Sequence, residues 1–299
     1  MTSPKSDRIA WAIHIACLFE VCADKPGNVT WGKDFWDARF VDFMASAIAV
    51  GPALRDAAHT PVGETILRAM QDTSQLVNTN TNLGMVLLLA PLAKAAGQGH
   101  PQGLRAGVSE VLKTLTVEDA RHTFEAIRLA APGGLGDANQ YDVRKVSQVD
   151  ITLRQAMEMA QDRDAIAREY VTNFEITFEL GYKSLCRMWD EGRDFSDAIV
   201  QTFLIMMAQV PDTLIARKEG LAVAEEISHR AQRVLEAGGA FSDEGREALR
   251  AFDLSIRDDR HRLNPGTTAD LIAATLFVFL TEGGGLEVFP DLLSRWQRP

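Results

Sequence analysis

Asn78-Thr79-Asn80-Thr81-Asn82-Leu83-Gly84 is polar, and the run that follows it, Met85-Val86-Leu87-Leu88-Leu89-Ala90-Pro91-Leu92, is the most apolar in the chain. Asn and Thr favour helix starts because their side chains accept hydrogen bonds from the first free backbone N–H groups. A helix that is apolar on every side belongs in the middle of a domain. The stretch therefore predicts a buried central helix whose first turn carries amide and hydroxyl groups into an apolar interior. Left unpaired there, each such group would cost about 1–3 kcal/mol, so each wants a partner. The loop either caps a hydrophobic core and does no more, or other polar loops converge on it.

Helical patterning continues on both sides. Ile9, Ala12, Ile13, Ala16, Cys17 and Glu20 fall at helical spacing and predict an amphipathic helix near residues 7–23. Asp37 to His59 reads as one long helix, with Phe40, Phe43, Met44, Ala47 and Ile48 facing inward and a kink at Pro52. Asp42 and Ser46, four apart, share a side of it. Helices follow near 62–73, 102–113 and 117–130, and Thr116 with Asp119 resembles a capping box for the last. Ile151 to Glu191 is helical in pattern nearly throughout. Glu158, Asp162 and Glu169 share a face there, but Arg163 and Arg168 are interleaved, which favours a solvated, salt-bridged surface over metal coordination. Further helices are predicted over 196–209, 220–237 and 243–257, and a last one after Pro265-Gly266. No segment alternates with period two, and no repeat or low-complexity tract appears. The expectation is an all-α protein, a single compact domain over residues 1–299 with about a dozen helices around a buried central one.

Composition narrows the function classes. The 299 residues include 31 basic and 41 acidic side chains, a formal charge of −10. Non-specific nucleic-acid binding needs a basic surface, so nucleic acid is not an expected partner. An anionic ligand must be held by a local cluster. Cys17, Cys22 and Cys186 form neither a disulfide framework nor a zinc-ligand pattern. The N-terminus lacks an apolar signal core, and Leu83 to Leu92 and Leu271 to Leu280 are about half the length of a membrane span. A cytoplasmic protein with small phosphorylated ligands is expected, its apolar helices compatible with a homodimer.

Four polar stretches stand out. In Asp24-Lys25-Pro26-Gly27-Asn28-Val29-Thr30, Pro26 before Gly27 specifies a tight turn, type II in expectation, that would expose Lys25 and the amides around Asn28 as an anion cradle. Ala131-Pro132-Gly133-Gly134-Leu135-Gly136-Asp137 is glycine-rich but matches neither a Walker loop nor a dinucleotide fingerprint, and Asp142, Arg144 and Lys145 follow it in an irregular stretch. Asp212 and Thr213 suit a helix start, with Arg217 and Lys218 one turn later. Arg257, Arg260, His261 and Arg262 precede a Pro265-Gly266 turn that opens a helix at Thr267 and Thr268. A helix N-terminus with free N–H groups suits phosphate, while a capping box of Thr267 or Thr268 with Asp270 is the plainer alternative.

Taken together and in order, several segments resemble the triphosphoribosyl-dephospho-CoA synthase family. They are Glu20-Val21 with Lys25-Pro26-Gly27-Asn28-Val29, the Asp42-Phe43 and Ser46-Ala47 helix, Asn80-Thr81-Asn82-Leu83-Gly84, Asp212-Thr213 with Arg217, and Pro265-Gly266 with Ala269-Asp270-Leu271. The resemblance runs from about residue 9 to 282 and marks a divergent member. It departs from the family pattern at Pro132-Gly133-Gly134-Leu135-Gly136, at Arg217-Lys218-Glu219-Gly220 and at Gly266-Thr267-Thr268. It implies an all-helical enzyme that joins the ribose of ATP to the 2′-hydroxyl of 3′-dephospho-CoA and releases adenine. Alternatives are a same-fold transferase using another phosphorylated donor in methanopterin- or methanofuran-type one-carbon cofactor synthesis, or a non-catalytic nucleotide-binding helical protein.

Such a reaction passes through an oxocarbenium-like state and needs an acid, a base and charge compensation for the triphosphate. On the resemblance, Lys25, Gly27, Asn28, Arg217, Arg260, Gly266, Thr267 and Thr268 suit the phosphates, and Asn80 and Asn82 suit ribose hydroxyls or the base. Glu20, Asp42 and Asp212 are the catalytic carboxylates, Glu20 the first choice as base. Asp212 and Asp270 are the expected Mg²⁺ ligands.

Overall fold

The computed structural model describes residues 4–130, 149–283, 287 and 289–296. The glycine-rich loop at 131–137, with Asp142, Arg144 and Lys145, lies outside the described residues. Within them there is one isolated bridge, Thr30 to Lys33, and no strand. The all-α expectation is what the structure shows. Contacts gather the chain into two compact units, residues 1–17 with 41–175 and residues 18–40 with 176–299.

The first unit holds most of α1 (Pro4–Cys22), then α2 (Phe40–Ala49), α3 (Gly51–Arg55), α4 (Val62–Leu76), α5 (Leu83–Gln98), α6 (Leu104–Lys113), α7 (Val117–Ala130), α8 (Leu153–Ala160) and α9 (Ala165–Thr172). Helix α5 is its core. Leu83, Met85 through Ala93 and Ala95 are all buried, Pro91 included. It packs against α4, α6 and α9. The capping expectation at its start is met by Asn80 and not by the N-cap residue. Asn82 occupies the N-cap position without a side-chain cap bond. Asn80 Oδ1 instead accepts the Leu83 N–H at 3.1 Å, Asn82 Nδ2 donates to Thr73 Oγ1 at 3.2 Å, and the Thr81 hydroxyl pairs with that of Ser46. The Thr116–Asp119 box is present, with Asp119 Oδ2 accepting the Thr116 N–H at 2.8 Å. Its Oδ1 also accepts the Gly63 N–H at 2.8 Å and so ties α7 to α4.

Two sequence expectations fail here. The long helix over Asp37 to His59 is two helices, because Val50 starts a new one with Pro52 in its first turn, where proline needs no N–H partner. It starts at Phe40, whose N–H is taken by Asp34 Oδ1 at 2.7 Å. Met44 and Ile48 point outward. The run from Ile151 to Glu191 is also interrupted. The Asp164 side chain caps a restart at Ile166 and Ala167, and Asn173 and Phe174 adopt left-handed φ of 55° and 57°.

The second unit holds the end of α1, a π-helix (Ile176–Tyr182), α10 (Lys183–Asp190), α11 (Phe195–Gln209), α12 (Thr213–Glu219), α13 (Leu221–Glu236), α14 (Asp243–Ile256), α15 (Gly266–Glu282) and α16 (Phe289–Ser294). Its core is α15, with Leu271 to Leu280 buried without a break. The apolar run at 83–92 therefore has a counterpart, and each unit is built around one all-apolar helix. Helix α15 packs on the π-helix, α11 and α12. A side chain at Gly181 would have its Cβ 2.2 Å from Thr275 Oγ1, so the close approach of the π-helix to α15 requires glycine. Among the described residues no single helix is long and apolar enough to cross a membrane. The bent pair α11 and α12, at 52°, meets that test jointly, but Phe203, Leu204, Met206 and Met207 of α11 are buried inside the unit.

Candidate active site

The turn after α1 is the first element. Asn28 N–H donates to Lys25 O at 3.3 Å, and Gly27 sits at φ 75°, the type II geometry that the Pro-Gly pair predicts. The expectation that this turn exposes Lys25 is overturned, since Lys25 is 0% exposed. Its Nζ lies 3.0 Å from Glu20 Oε1 and donates to the main-chain oxygens of Glu20 and, at 3.3 Å, Ala23. A helix C-terminus leaves carbonyls without intrahelical donors and attracts a cation, so the ammonium turns back onto α1. All three of its donors are then committed internally. Glu20 is 2% exposed, and its Oε2 has no hydrogen-bond partner among the described residues. Burial pushes its carboxyl above the ordinary range, while the charge and hydrogen bond of Lys25 pull it back.

The amide of Gly27 is not free for an anion either. It donates to Asp253 Oδ1 at 2.7 Å. Asp253, 6% exposed on α14, also accepts from Arg257 Nε at 2.8 Å and Lys33 Nζ at 3.0 Å, and Arg257 Nη2 donates to Asn28 O at 2.7 Å. Sequence reading did not single out Asp253. The signal was available, because helical phase places it beside Phe252 and Ile256, on the buried side of α14. An alanine Cβ at Gly27 would stand 2.7 Å from Ile256 Cδ1 and 2.9 Å from Pro265 Cδ, at a φ that L-residues resist. Gly27→Ala should therefore destabilise the protein by about 1–3 kcal/mol, read as a lowered melting temperature.

Asp212 is the second element. It is 2% exposed and caps two helices. Its Oδ1 accepts the N–H groups of Leu214 (2.9 Å) and Ile215 (3.1 Å) at the start of α12. Its Oδ2 accepts the N–H (2.7 Å) and hydroxyl (2.8 Å) of Thr268 at the start of α15. Burial raises its pKa, opposed by the Thr268 and Ile215 bonds and the charge of Arg217. Four donors on two oxygens demand the ionised form. The capping box of Thr267 or Thr268 with Asp270 is thus replaced by a carboxylate from a distant segment, which fills the place a phosphate would take at α15. Thr213 and Thr267 hydroxyls are 3.2 Å apart, joining the same two helix starts.

Around these lie the remaining basic groups. Lys218 is half-buried and donates to His261 O at 3.0 Å, and its burial lowers its pKa. His261 stacks on Phe35 with centroids 3.7 Å apart and has Nε2 3.4 Å from Asp37 Oδ1; burial holds its imidazole low. Arg217 and Asp270 are half-buried, and the Arg260 side chain is exposed. Glu20, Lys25, Gly27, Asn28, Asp212, Arg217, Arg260, Gly266, Thr267, Thr268 and Asp270 all fall in the second unit, whereas Asp42, Asn80 and Asn82 belong to the first. Among the described residues no group of three or more His, Cys, Asp or Glu side chains could hold a metal ion. With both oxygens of Asp212 engaged, it does not fit as a Mg²⁺ ligand.

These features define an all-helical protein that gathers buried carboxylates and cations at helix ends, with no strand-borne phosphate loop among the described residues. A family model described as ATP:dephospho-CoA triphosphoribosyl transferase matches residues 6–287. The chain belongs to this family, and is a transferase. It is 42% identical over 100 residues to the 2-(5''-triphosphoribosyl)-3'-dephosphocoenzyme-A synthase of Klebsiella pneumoniae, a match spanning 33% of this chain and 32% of that protein. A Vibrio cholerae protein named "Probable 2-(5''-triphosphoribosyl)-3'-dephosphocoenzyme-A synthase" is 25% identical over 296 residues, 90% of this chain and 86% of the relative. Among solved structures, the "putative triphosphoribosyl-dephospho-coA synthase from Archaeoglobus fulgidus" aligns with a TM-score of 0.62 at 28% identity, covering 80% of this chain and 99% of that one.

Proposed function

We infer that this protein transfers the triphosphoribosyl group of ATP to the 2′-hydroxyl of 3′-dephospho-CoA, with release of adenine. The observation that carries the reading is the family match over residues 6–287. In the transfer the acceptor oxygen bonds to ribose C1′ as the bond from C1′ to adenine breaks; adenine leaves with the bonding pair and takes up a proton, and the hydroxyl proton passes to a base. Glu20 suits that task, since one oxygen is anchored by Lys25 and the other has no hydrogen-bond partner among the described residues, with a pKa raised by burial. Lys25 is then the group that positions the base, a different task from the phosphate contact expected for it.

Arg217, Lys218 and Arg260 are the basic groups of the second unit that suit the triphosphate. Mg²⁺ fits as an ion carried by the phosphates, with Asp270 the candidate protein carboxylate, and bound there it would offset triphosphate charge. Asp42, Asn80 and Asn82 rest on their motif match. A cytoplasmic location goes with such substrates. The test is chromatography of ATP incubated with dephospho-CoA and Mg²⁺. Adenine should appear in proportion to a dephospho-CoA adduct carrying the added triphosphoribosyl mass. If ATP stays intact while a different phosphorylated donor turns over, the one-carbon-cofactor alternative replaces this reading.

A further inference from the structure

Asn28 was expected to hold phosphate, but most of its donors are engaged within the protein. Its backbone N–H donates to Lys25 O and one of the two Nδ2 hydrogens to Asn264 Oδ1 at 2.7 Å, so a single amide N–H is left uncommitted. It also offers Oδ1, a buried amide oxygen without a hydrogen-bond partner among the described residues, on a side chain only 4% exposed. Glu20 Oε2, earlier in the same turn-linked segment, is a second buried acceptor in the same condition. Orphaned buried polar atoms are rare in native proteins, and each costs stability unless something answers it. An acceptor repels phosphate oxygens and pairs with a hydroxyl.

We propose that Asn28 Oδ1 accepts a hydrogen bond from a substrate ribose hydroxyl, making the Glu20–Asn28 segment a reader of sugar hydroxyls instead of a phosphate cradle. This rests on the substrates named above. Its geometry is held by Arg257, which fixes the Asn28 carbonyl, and by Asn264, which fixes the amide.

The hydroxyl can come from either nucleotide, and calorimetric binding separates the sources. The ligands are ATP with its 2′- and 3′-deoxy analogues, dephospho-CoA with the corresponding deoxy forms, and inorganic triphosphate. Wild type should bind one deoxy analogue about 10- to 100-fold more weakly than its parent. In Asn28→Leu that penalty should vanish, while affinity for inorganic triphosphate stays unchanged. Loss of triphosphate affinity with discrimination retained would overturn the proposal, as would a folded Asn28→Leu that keeps the full penalty. Should the variant not fold, wild type alone decides, because equal binding of every deoxy analogue and its parent refutes it. The readout is binding, so failure of adenine release would count against the transferase reading without touching this one.

Discussion

Glu20→Gln is expected to lower turnover about 10²–10⁴-fold, the range that a general base contributes. The amide preserves shape and one acceptor for Lys25 but removes the negative charge. Because burial favours the neutral carboxyl, the neutral amide should leave the fold about as stable as wild type at low pH. The pH dependence separates chemistry from folding. Burial holds the Glu20 pKa above the ordinary carboxylate range. The base must be ionised, so wild-type kcat/KM should rise with pH through that raised value. Stability runs the other way. A carboxyl whose folded pKa exceeds its unfolded one contributes stability fully below the unfolded pKa, and that contribution is lost as pH rises through the folded pKa. One titration should thus switch activity on while trimming the melting temperature. Glu20→Gln should erase both trends. A variant with wild-type kcat and an unmoved acid limb would remove Glu20 from the chemistry.

Much of the fold was legible because it follows from local rules. Apolar runs at 83–92 and 271–280 became the two buried helices, and the Thr116–Asp119 box, the Asp212 cap and the Pro26-Gly27 turn each depend on a few neighbouring residues. The break before Pro52 and the left-handed Asn173 and Phe174 were within reach of the same rules but were overridden by a continuous apolar pattern. The division into two units had no linker to announce it, since its first boundary falls inside α1, between Cys17 and Leu18. The site was legible only as a set of residue types. Lys25 and Gly27 look like anion donors in sequence, yet their donors are taken by Glu20 and by Asp253, which is 226 positions away from Gly27. Partnerships over such separations leave no local trace. A charged residue at a helix end advertises its charge and conceals which internal group has already neutralised it.

Asp212→Ala should be the most damaging substitution to stability that leaves every cation of the site in place. It removes four hydrogen bonds at once and strands the buried donors of Thr268, with Leu214 and Ile215 also uncapped. Losing a single N-cap costs about 0.5–2 kcal/mol, and two caps sharing one carboxylate should cost about 2–4 kcal/mol. In a chain of this size that is a drop of about 5–15 °C in melting temperature. Asp212→Asn should fall between, because its oxygen can serve one helix start while its NH₂ opposes the donors of the other. Arg217 and Thr267 stand on the two helices that this carboxylate joins, so surviving enzyme should show a raised KM for ATP more than a lowered kcat. Magnesium provides the decisive contrast. If Asp212 is the double cap described here, the loss is the same with and without Mg²⁺. If instead Mg²⁺ stabilises wild type and fails to stabilise Asp212→Ala, while the two melt alike in its absence, the carboxylate is a metal ligand and the capping role is secondary.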